Sequence, residues 1–187
     1  VKVVLDHIDV LTDTANEFST FAKLYSEEPV MIDVDRLLQD EIGMFDAREG
    51  IEFRDFGLGG AKIMGPKPQL TRVFVNLLTN SVQALTLRAQ EAAEKGEKAP
   101  VGIIAVSLRN STEDGWYDIV FEDNGPGVAE ANQDRLFTPN FTTKSSGTGL
   151  GLAICRSILE KCDATIQYSR SFALGGACFS IHYPKNK

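Results

Sequence analysis

The sequence lacks any apolar run that approaches the roughly 18 residues needed by a membrane-spanning helix. It also lacks a signal peptide at its beginning, so the pattern of a secreted protein is absent. Because the first residue is Val1 and not Met, we expect a fragment of a longer protein, whose membrane and sensor segments are left open.

Cysteine and positive charge are also scarce. The three cysteines, Cys155, Cys162 and Cys178, do not have the spacing of metal ligands, so we predict reduced thiols packed as small hydrophobic side chains. Lys and Arg total 19 against 26 Asp and Glu, which gives a net charge of −7. This balance argues against a nucleic-acid partner, which requires clustered cations, but it permits a nucleotide neutralised by one metal ion, one lysine and backbone N–H groups.

The first 25 residues carry apolar side chains at spacings of mostly three and four. These are Val4, Ile8, Leu11, Ala15, Phe18, Ala22 and Tyr25. The heptad pattern predicts a helix over residues 1–28 that needs a partner helix or a second copy of itself. The alternative is a helix folded back on its own domain. Because Pro29 cannot continue the helix, we predict that residues 29–187 form a separate main domain.

The main domain shows short strand patterns mixed with helical ones. We predict a strand at 30–34, a helix capped by Asp35 and running to about residue 45, a strand pair at 51–56 and 61–64, a long helix at 69–94, strands at 101–108 and 116–122, an irregular segment at 123–149, a helix at 150–161, and strands at 164–169 and 177–183. This order predicts an α/β two-layer sandwich, with a mixed sheet and helices on one face.

Two polar clusters lie within this pattern. Asn76 and Asn80 are four residues apart on the long predicted helix, so they share one face. An Asn carbonyl oxygen suits Mg²⁺, although two asparagines satisfied by neighbouring backbone are the alternative. Residues 123–127 (DNGPG) follow a predicted strand, where Asp123 is placed to accept a hydrogen bond from the exocyclic amine of adenine. An ordinary surface turn is the alternative.

Two further clusters follow along the chain. Residues 137–144 (FTPNFTTK) place two aromatic side chains around a polar loop ending in Lys144, which is either a mobile charge for terminal phosphates or a solvated lysine. Residues 147–152 (GTGLGL) lead into a predicted helix, whose uncovered N–H groups form an anion site. This is not a Walker loop, because no Gly-Lys-Ser/Thr follows, and Rossmann glycines come after the first strand.

In this order the four clusters resemble the N box, first glycine box, F box and second glycine box of sensor histidine kinases. Gyrase, the ninety-kilodalton heat-shock chaperone and MutL belong to the same superfamily. The resemblance covers residues 30–183, and residues 141–154 resemble the nitrogen-regulation branch. Residues 16–22 (NEFSTFA) resemble the second helix of the family's dimerisation and phosphoacceptor hairpin. The resemblance implies a Bergerat-type ATP-binding catalytic domain, preceded by part of that hairpin.

The resemblance also implies roles for single residues. Asn80 would bind Mg²⁺, Asn76 would support the phosphates or a metal-bound water, and Asp123 would hold the adenine amine. The residues that would lie near the base or elsewhere along the nucleotide are Gln83, Ala84, Gly125, Gly127 and Val128. The residues that would surround the phosphates as part of a lid are Thr143, Lys144, Gly147, Thr148, Gly149, Leu150 and Gly151. Asn76, Asn80 and Lys144 are the implied catalytic residues.

The nature of position 76 bears on the reaction. Hydrolytic members of the superfamily resemble one another in having a glutamate there, as the general base for water. Asn76 cannot take a proton at neutral pH, so transfer to another nucleophile is favoured. In the family the acceptor is a histidine followed by Glu or Asp and then by Arg and Pro. Neither His7 nor His182 fits this pattern, so we expect the acceptor histidine outside this chain.

We therefore expect a bacterial protein-histidine kinase domain of a two-component phosphorelay, with ATP and Mg²⁺ as cofactors. The expected partners are the acceptor helix of the parent kinase, a response-regulator receiver domain and a second subunit of the full-length protein. The expected location is cytoplasmic, with membrane anchoring of the parent left open. The alternatives are an anti-sigma-type protein serine kinase, which the heptad segment argues against, and a degenerate module that binds ATP without transfer, which the intact clusters argue against.

Overall fold

The computed structural model of the protein describes residues 28–45, 50–57, 59–143 and 148–185. The heptad segment at residues 4–25 lies outside these ranges, as do Lys144 and Gly147. The division of the chain at residue 28 therefore stays a prediction.

The described chain alternates strands and helices in the predicted manner. Its elements are β1 (Val30–Asp33), α1 (Val34–Gly43), β2 (Ile51–Phe56), β3 (Lys62–Gly65), α2 (Lys67–Glu94), β4 (Gly102–Asn110), β5 (Trp116–Asp123), α3 (Glu130–Gln133), α4 (Gly151–Lys161), β6 (Thr165–Arg170) and β7 (Ala177–Pro184). Five strands form one sheet in the order β2-β4-β5-β7-β6, and β1 and β3 form a small antiparallel sheet. The large sheet is mixed, because β2 and β4 are parallel while its other pairs are antiparallel.

The core lies between the large sheet and the helices. Apolar residues recur at helical spacing along α2, and they are fully or almost fully buried: Leu70, Val73, Phe74, Leu77, Leu78 and Leu85. Alternate residues of the central strands face them, and the ring of Phe74 lies 5.7 Å from that of Phe121 on β5. Burial of each such side chain stabilises the fold by about 1.5–3 kcal/mol. The predicted α/β two-layer sandwich with a mixed sheet is confirmed.

The predicted pairing of the strands at 51–56 and 61–64 is wrong. Strand β2 pairs with β4, with Ile51 opposite Gly102, while β3 pairs with β1. The start of β3 is tied to α1, because the N–H of Ala61 donates to the Asp35 carboxylate at 3.1 Å and the carbonyl of Ala61 accepts from Val34 at 3.0 Å. These contacts come from residues far apart in the chain, so local periodicity does not reveal them.

The predicted helix cap at Asp35 is also wrong. The cap is Asp33, whose carboxylate accepts from the N–H of Arg36 at 3.0 Å, and the helix begins at Val34. Asp35 is instead buried within the first turn and holds Ala61. Sequence patterns place either aspartate at a helix start, so the choice depended on a tertiary contact. The short helix α3 lies within the segment predicted to be irregular.

The cysteines were predicted to be reduced thiols packed as small hydrophobic side chains. All three cysteines are free, and burial raises the pKa of Cys155 to about 12, so this thiol is neutral and packs as a hydrophobic group.

No helix within the described residues combines the length and the apolarity that crossing a bilayer requires.

Candidate functional site

A buried carboxylate ends the central strand β5. Asp123 is only 2% exposed. Its Oδ2 accepts a hydrogen bond from Oγ of Ser81 at 3.0 Å, and its Oδ1 accepts from the N–H of Gly125 at 2.9 Å and of Ala177 at 3.1 Å. Three donors from three elements of the chain thus compensate the charge and fix its orientation.

Glycines allow the backbone to approach this carboxylate closely. A Cβ atom on Gly176 would lie 2.4 Å from both the carbonyl oxygen and Oδ1 of Asp123. A Cβ atom on Gly125 would lie 2.9 Å from Oδ1 of Asp123 and 3.3 Å from Cβ of Ala84 on α2. Any side chain at Gly176 would therefore displace the carboxylate or the backbone around it.

Ser81 and Gly176 were not among the predicted site residues. Ser81 is a polar residue on the otherwise apolar stripe of α2 and is 2% exposed, so it required a buried partner. A serine on an apolar helix stripe is the signal that could have identified it from the sequence. Gly176 follows another glycine directly before a strand, which indicates a close backbone approach without showing what is approached.

The turn that follows Asp123 is held from both sides. The Asn124 side chain accepts from the N–H of Ile103 at 2.8 Å and donates to the carbonyl of Val101 at 3.0 Å. Arg88 of α2 donates to the carbonyl of Asn124. These bonds fix the turn between α2 and the start of β4, so Asp123 and α2 keep a constant separation.

The second part of the site is the asparagine pair on α2. Nδ2 of Asn80 donates to Oδ1 of Asn76 at 2.9 Å, as their spacing of one helical turn allows. A Cβ atom on Gly151 would lie 2.5 Å from Nδ2 of Asn76, so the first residue of α4 packs directly against this pair. The N-terminus of α4, whose first backbone N–H groups have no acceptor within the helix itself, therefore lies beside Asn76.

The remaining glycine-rich residues connect the pair to the loop before it. Gly149 has a φ of +70°, and a Cβ atom on it would lie 2.7 Å from the carbonyl carbon of Asn140 and from the nitrogen of Phe141. Thr148 and Leu150 flank Gly149, and the N–H of Leu150 donates to Oγ1 of Thr148 at 3.4 Å. The second glycine cluster thus contacts both the phenylalanine-rich loop and α2.

The structure gathers part of the predicted site around α2. Asn76, Asn80 and Ala84 lie on this helix: Asn80 bonds to Asn76, Asn76 packs against Gly151, and Ala84 lies beside Gly125. Gln83 is exposed on α2, and Thr143 is exposed on the loop before the glycine cluster. Gly127 and Val128 continue the Asp123 turn, where Gly127 has a φ of +70°.

A magnesium ion at this site would have few protein ligands. Within the described part of the chain, no three His, Cys, Asp or Glu residues are placed to hold a metal. The bond to Asn76 uses the nitrogen of the Asn80 amide, so the carbonyl oxygen is the atom of Asn80 that would ligate a cation. Mg²⁺ accepts such a site, because it keeps phosphate oxygens and waters as its other ligands.

A family comparison covers all of these clusters. Residues 65–187 match the family described as histidine kinase-, DNA gyrase B- and HSP90-like ATPases. The chain belongs to this family. The description of its members as ATPases implies that this domain binds ATP.

Individual relatives are sensor histidine kinases by name. The chain is 33% identical over 122 residues to sensor histidine kinase TmoS of Ectopseudomonas mendocina, covering 65% of this chain and 12% of the relative. It is 34% identical over 125 residues to sensor histidine kinase ZraS of Escherichia coli strain K12, covering 67% of this chain and 23% of the relative. The chain thus spans no more than about a quarter of the length of these relatives.

A solved structure shares the fold. The nucleotide-free catalytic domain of histidine kinase ThkA superposes with a TM-score of 0.70 at 22% sequence identity, covering 85% of this chain and 97% of that domain. At this identity the similarity shows the fold alone.

Proposed function

We propose that this chain is the catalytic, ATP-binding domain of a bacterial sensor histidine kinase, which transfers the γ-phosphoryl group of ATP to a histidine outside the chain. The observation that carries the proposal is that neighbouring residues of α2, Ser81 and Asn80, contact the two parts of the site. Ser81 of α2 holds the Asp123 carboxylate, and the neighbouring Asn80 is paired with Asn76 against the start of α4. A base-binding acceptor and a phosphate-binding helix start therefore border the same stretch of α2.

On the base side, the exocyclic amine of adenine would donate to the Asp123 carboxylate. Guanine has a carbonyl oxygen at that position, which a carboxylate repels, so the site favours adenine. Gly125 and Gly127 would let the flat ring lie close to the backbone, and Ala84 and Val128 would line it. Gln83 would contact the nucleotide at the exposed side of α2.

On the phosphate side, the oxygen of Asn80 would hold Mg²⁺, which neutralises triphosphate charge when bound. Asn76 would orient a phosphate oxygen or a water. The N–H groups at the start of α4 would donate to the phosphates. The residues proposed to complete this side as a lid are Thr143, Lys144, Gly147, Thr148, Gly149, Leu150 and Gly151.

The identity of residue 76 favours transfer over hydrolysis. Activation of water requires a proton acceptor, and a neutral amide cannot serve as one at physiological pH. Phosphoryl transfer depends mainly on positioning and charge neutralisation, which the proposed site supplies without a base at Asn76.

The proposal extends to the parent protein. Residues 1–28 would form the second helix of a dimerisation hairpin, and a full-length homodimer would pass the phosphoryl group to a response-regulator receiver domain. The site would act in the cytoplasm, where ATP is available. The names of TmoS and ZraS favour this arrangement over the serine-kinase alternative.

Radiolabelled ATP and a separate hairpin carrying an acceptor histidine test the proposal directly. After mixing with this chain, we expect label on the hairpin that is lost in acid and is stable in base, as a phosphohistidine is. A hairpin with glutamine at the acceptor position is the matched control and should remain unlabelled. Acid-stable label on serine of a partner would favour an anti-sigma-type kinase, and tight ATP binding without transfer would favour a degenerate module.

A further inference from the structure

The backbone of Val128 is held by two side chains. Its N–H donates to the hydroxyl oxygen of Tyr168 at 2.9 Å, and its carbonyl accepts from Nε2 of Gln133 at 3.2 Å. Backbone groups in irregular segments more often bond to water or to other backbone. Two side chains on one residue of the turn therefore suggest that its exact placement matters to the site next to it.

Tyr168 is itself fixed within the sheet. It lies on β6 opposite Phe179 of β7, and the two rings make an edge contact with centroids 5.4 Å apart. Phe179 is 4% exposed and makes a second edge contact with Phe137. The phenol ring thus has little rotational freedom, and its hydroxyl is a rigid acceptor for the Val128 N–H.

The hydroxyl also lies beside the left-handed glycine of the turn. A Cβ atom on Gly127 would be 3.5 Å from the Tyr168 hydroxyl oxygen. Gly127 has a φ of +70°, and a glycine without fixed neighbours populates many other conformations at little cost. Contacts on both sides of Gly127, from Gly125 to Asp123 and from Val128 to Tyr168, hold it in this one.

We propose that Tyr168 is a positioning residue for base recognition: its hydroxyl fixes Gly127 and Val128 in the conformation that receives the adenine ring. The inference rests on the proposed nucleotide site. Without the hydroxyl the turn samples other conformations, and nucleotide binding must restrict it again. The affinity for every adenine nucleotide should then fall by one common factor.

Tyr168→Phe tests this with the ring retained. We expect the Kd values of ATP and ADP, measured by calorimetry, to rise about three- to tenfold and by the same factor, since one neutral hydrogen bond is lost. In the transfer assay KM should rise with kcat unchanged, because the lost interaction is equal in ground and transition states. A role confined to overall stability would lower Tm and leave the Kd of folded protein unchanged.

Tyr183→Phe is the matched control. The Tyr183 hydroxyl also donates one 2.9 Å hydrogen bond to a backbone group, the carbonyl of Met64. Tyr183 pairs with Tyr117, which lies six residues along β5 from Asp123, roughly 20 Å away. This variant should lower Tm and keep the ATP affinity within twofold of the unchanged protein.

Gln133→Ala removes the second side chain that holds Val128, the one bonded to its carbonyl. This variant should weaken ADP binding about two- to fivefold. The inference is overturned if Tyr168→Phe and Gln133→Ala both bind ADP within twofold of the unchanged protein while Asp123→Asn loses affinity. If Asp123→Asn also binds normally, the nucleotide site itself has been assigned wrongly, so the two failures are distinguishable.

Discussion

Asn76 and Gly151 touch across two helices, with no room for a side chain between them. A Cβ atom on Gly151 would lie 2.5 Å from Nδ2 of Asn76, which is closer than nonbonded carbon and nitrogen atoms approach. Asn76 is in turn bonded to Asn80. The position of the α4 N-terminus and the orientation of the asparagine pair are therefore linked through this contact.

Gly151→Ala should separate phosphate binding from base binding. The added methyl group must turn the Asn76 amide away or shift α4, and either movement disturbs the side that we propose to bind the phosphates. We expect the ATP affinity to fall about tenfold or more, while the affinity for adenosine changes less than threefold because the Asp123 turn is not touched. Calorimetric titration with both ligands measures the difference.

Gly43→Ala is the control for that substitution. Gly43 ends α1, and a Cβ atom there has no neighbour within 4 Å. ATP affinity should be unchanged in this variant. Normal ATP affinity in Gly151→Ala would mean that the start of α4 does not contact the phosphates.

Asp123→Asn should weaken ATP binding at least tenfold. The amide nitrogen that replaces one carboxylate oxygen cannot accept from the donors that now face it, which are Ser81 on one side and Gly125 and Ala177 on the other. A lost charge-assisted hydrogen bond to adenine costs about 1.5–3 kcal/mol in addition. Calorimetry on folded protein gives the affinity, and thermal unfolding reports the loss in the native network separately.

Asp118→Asn provides the same change on the same strand. Asp118 binds Nδ1 of His182 at 2.9 Å, well away from the turn at the end of β5. Its substitution should leave ATP binding intact. Equal losses in the two variants would indicate a general effect on β5 and would remove Asp123 from base recognition.

The sequence predicted the helices and strands better than it predicted which strands pair with each other. The long helix α2 and the strands β4, β5 and β7 have strong periodicity, and they form where it indicated. The predicted partner of β2 was wrong. Strand β2 pairs in parallel with β4, and the connection between these two strands includes the whole of α2. Nothing local in residues 51–56 distinguishes that partner from the nearer strand β3.

The same limit applies to the site. Clusters with a local pattern, such as the Asn76 and Asn80 pair, could be identified from spacing and resemblance. Gly176 and Tyr168 could not, because each acts on a residue more than 35 positions away in the sequence: Gly176 approaches Asp123 and Tyr168 binds Val128. Their roles depend on the antiparallel registers of β5, β6 and β7.

Asn80→Ala should remove the magnesium dependence of nucleotide binding. In the unchanged protein we expect ADP to bind more tightly with Mg²⁺ than with EDTA, because the cation joins the phosphates to the Asn80 oxygen. In the variant the two conditions should differ less than twofold. Gln90→Ala, an exposed position further along α2, is the control and should keep the full dependence. A full magnesium effect in Asn80→Ala would assign the cation to other ligands.

Glu41→Gln should stabilise the domain at neutral pH. Glu41 is 6% exposed on α1, and its Oε2 is buried without a hydrogen-bond partner among the described residues. Burial, and then repulsion from Asp40, raise the pKa of the Glu41 carboxyl, while Lys67 opposes them. An acid with a raised pKa in the folded state stabilises the fold when protonated, and that contribution is lost as the pH rises through the folded-state pKa.

Because the pKa of Glu41 is raised in the folded state, the effect of Glu41→Gln on stability should depend on pH. Near neutral pH the raised pKa counts against the folded state, so the glutamine variant should gain about 1 kcal/mol, or about 2–4 °C in Tm. The difference should shrink as the pH falls, because protonation of Glu41 removes the buried charge. Glu160→Gln is the control, because Glu160 is exposed and pairs with Arg156 at 3.0 Å, a contact worth little. A Tm difference for Glu41→Gln that stayed constant from pH 4 to pH 8 would show that packing, and not the buried charge, determines the effect.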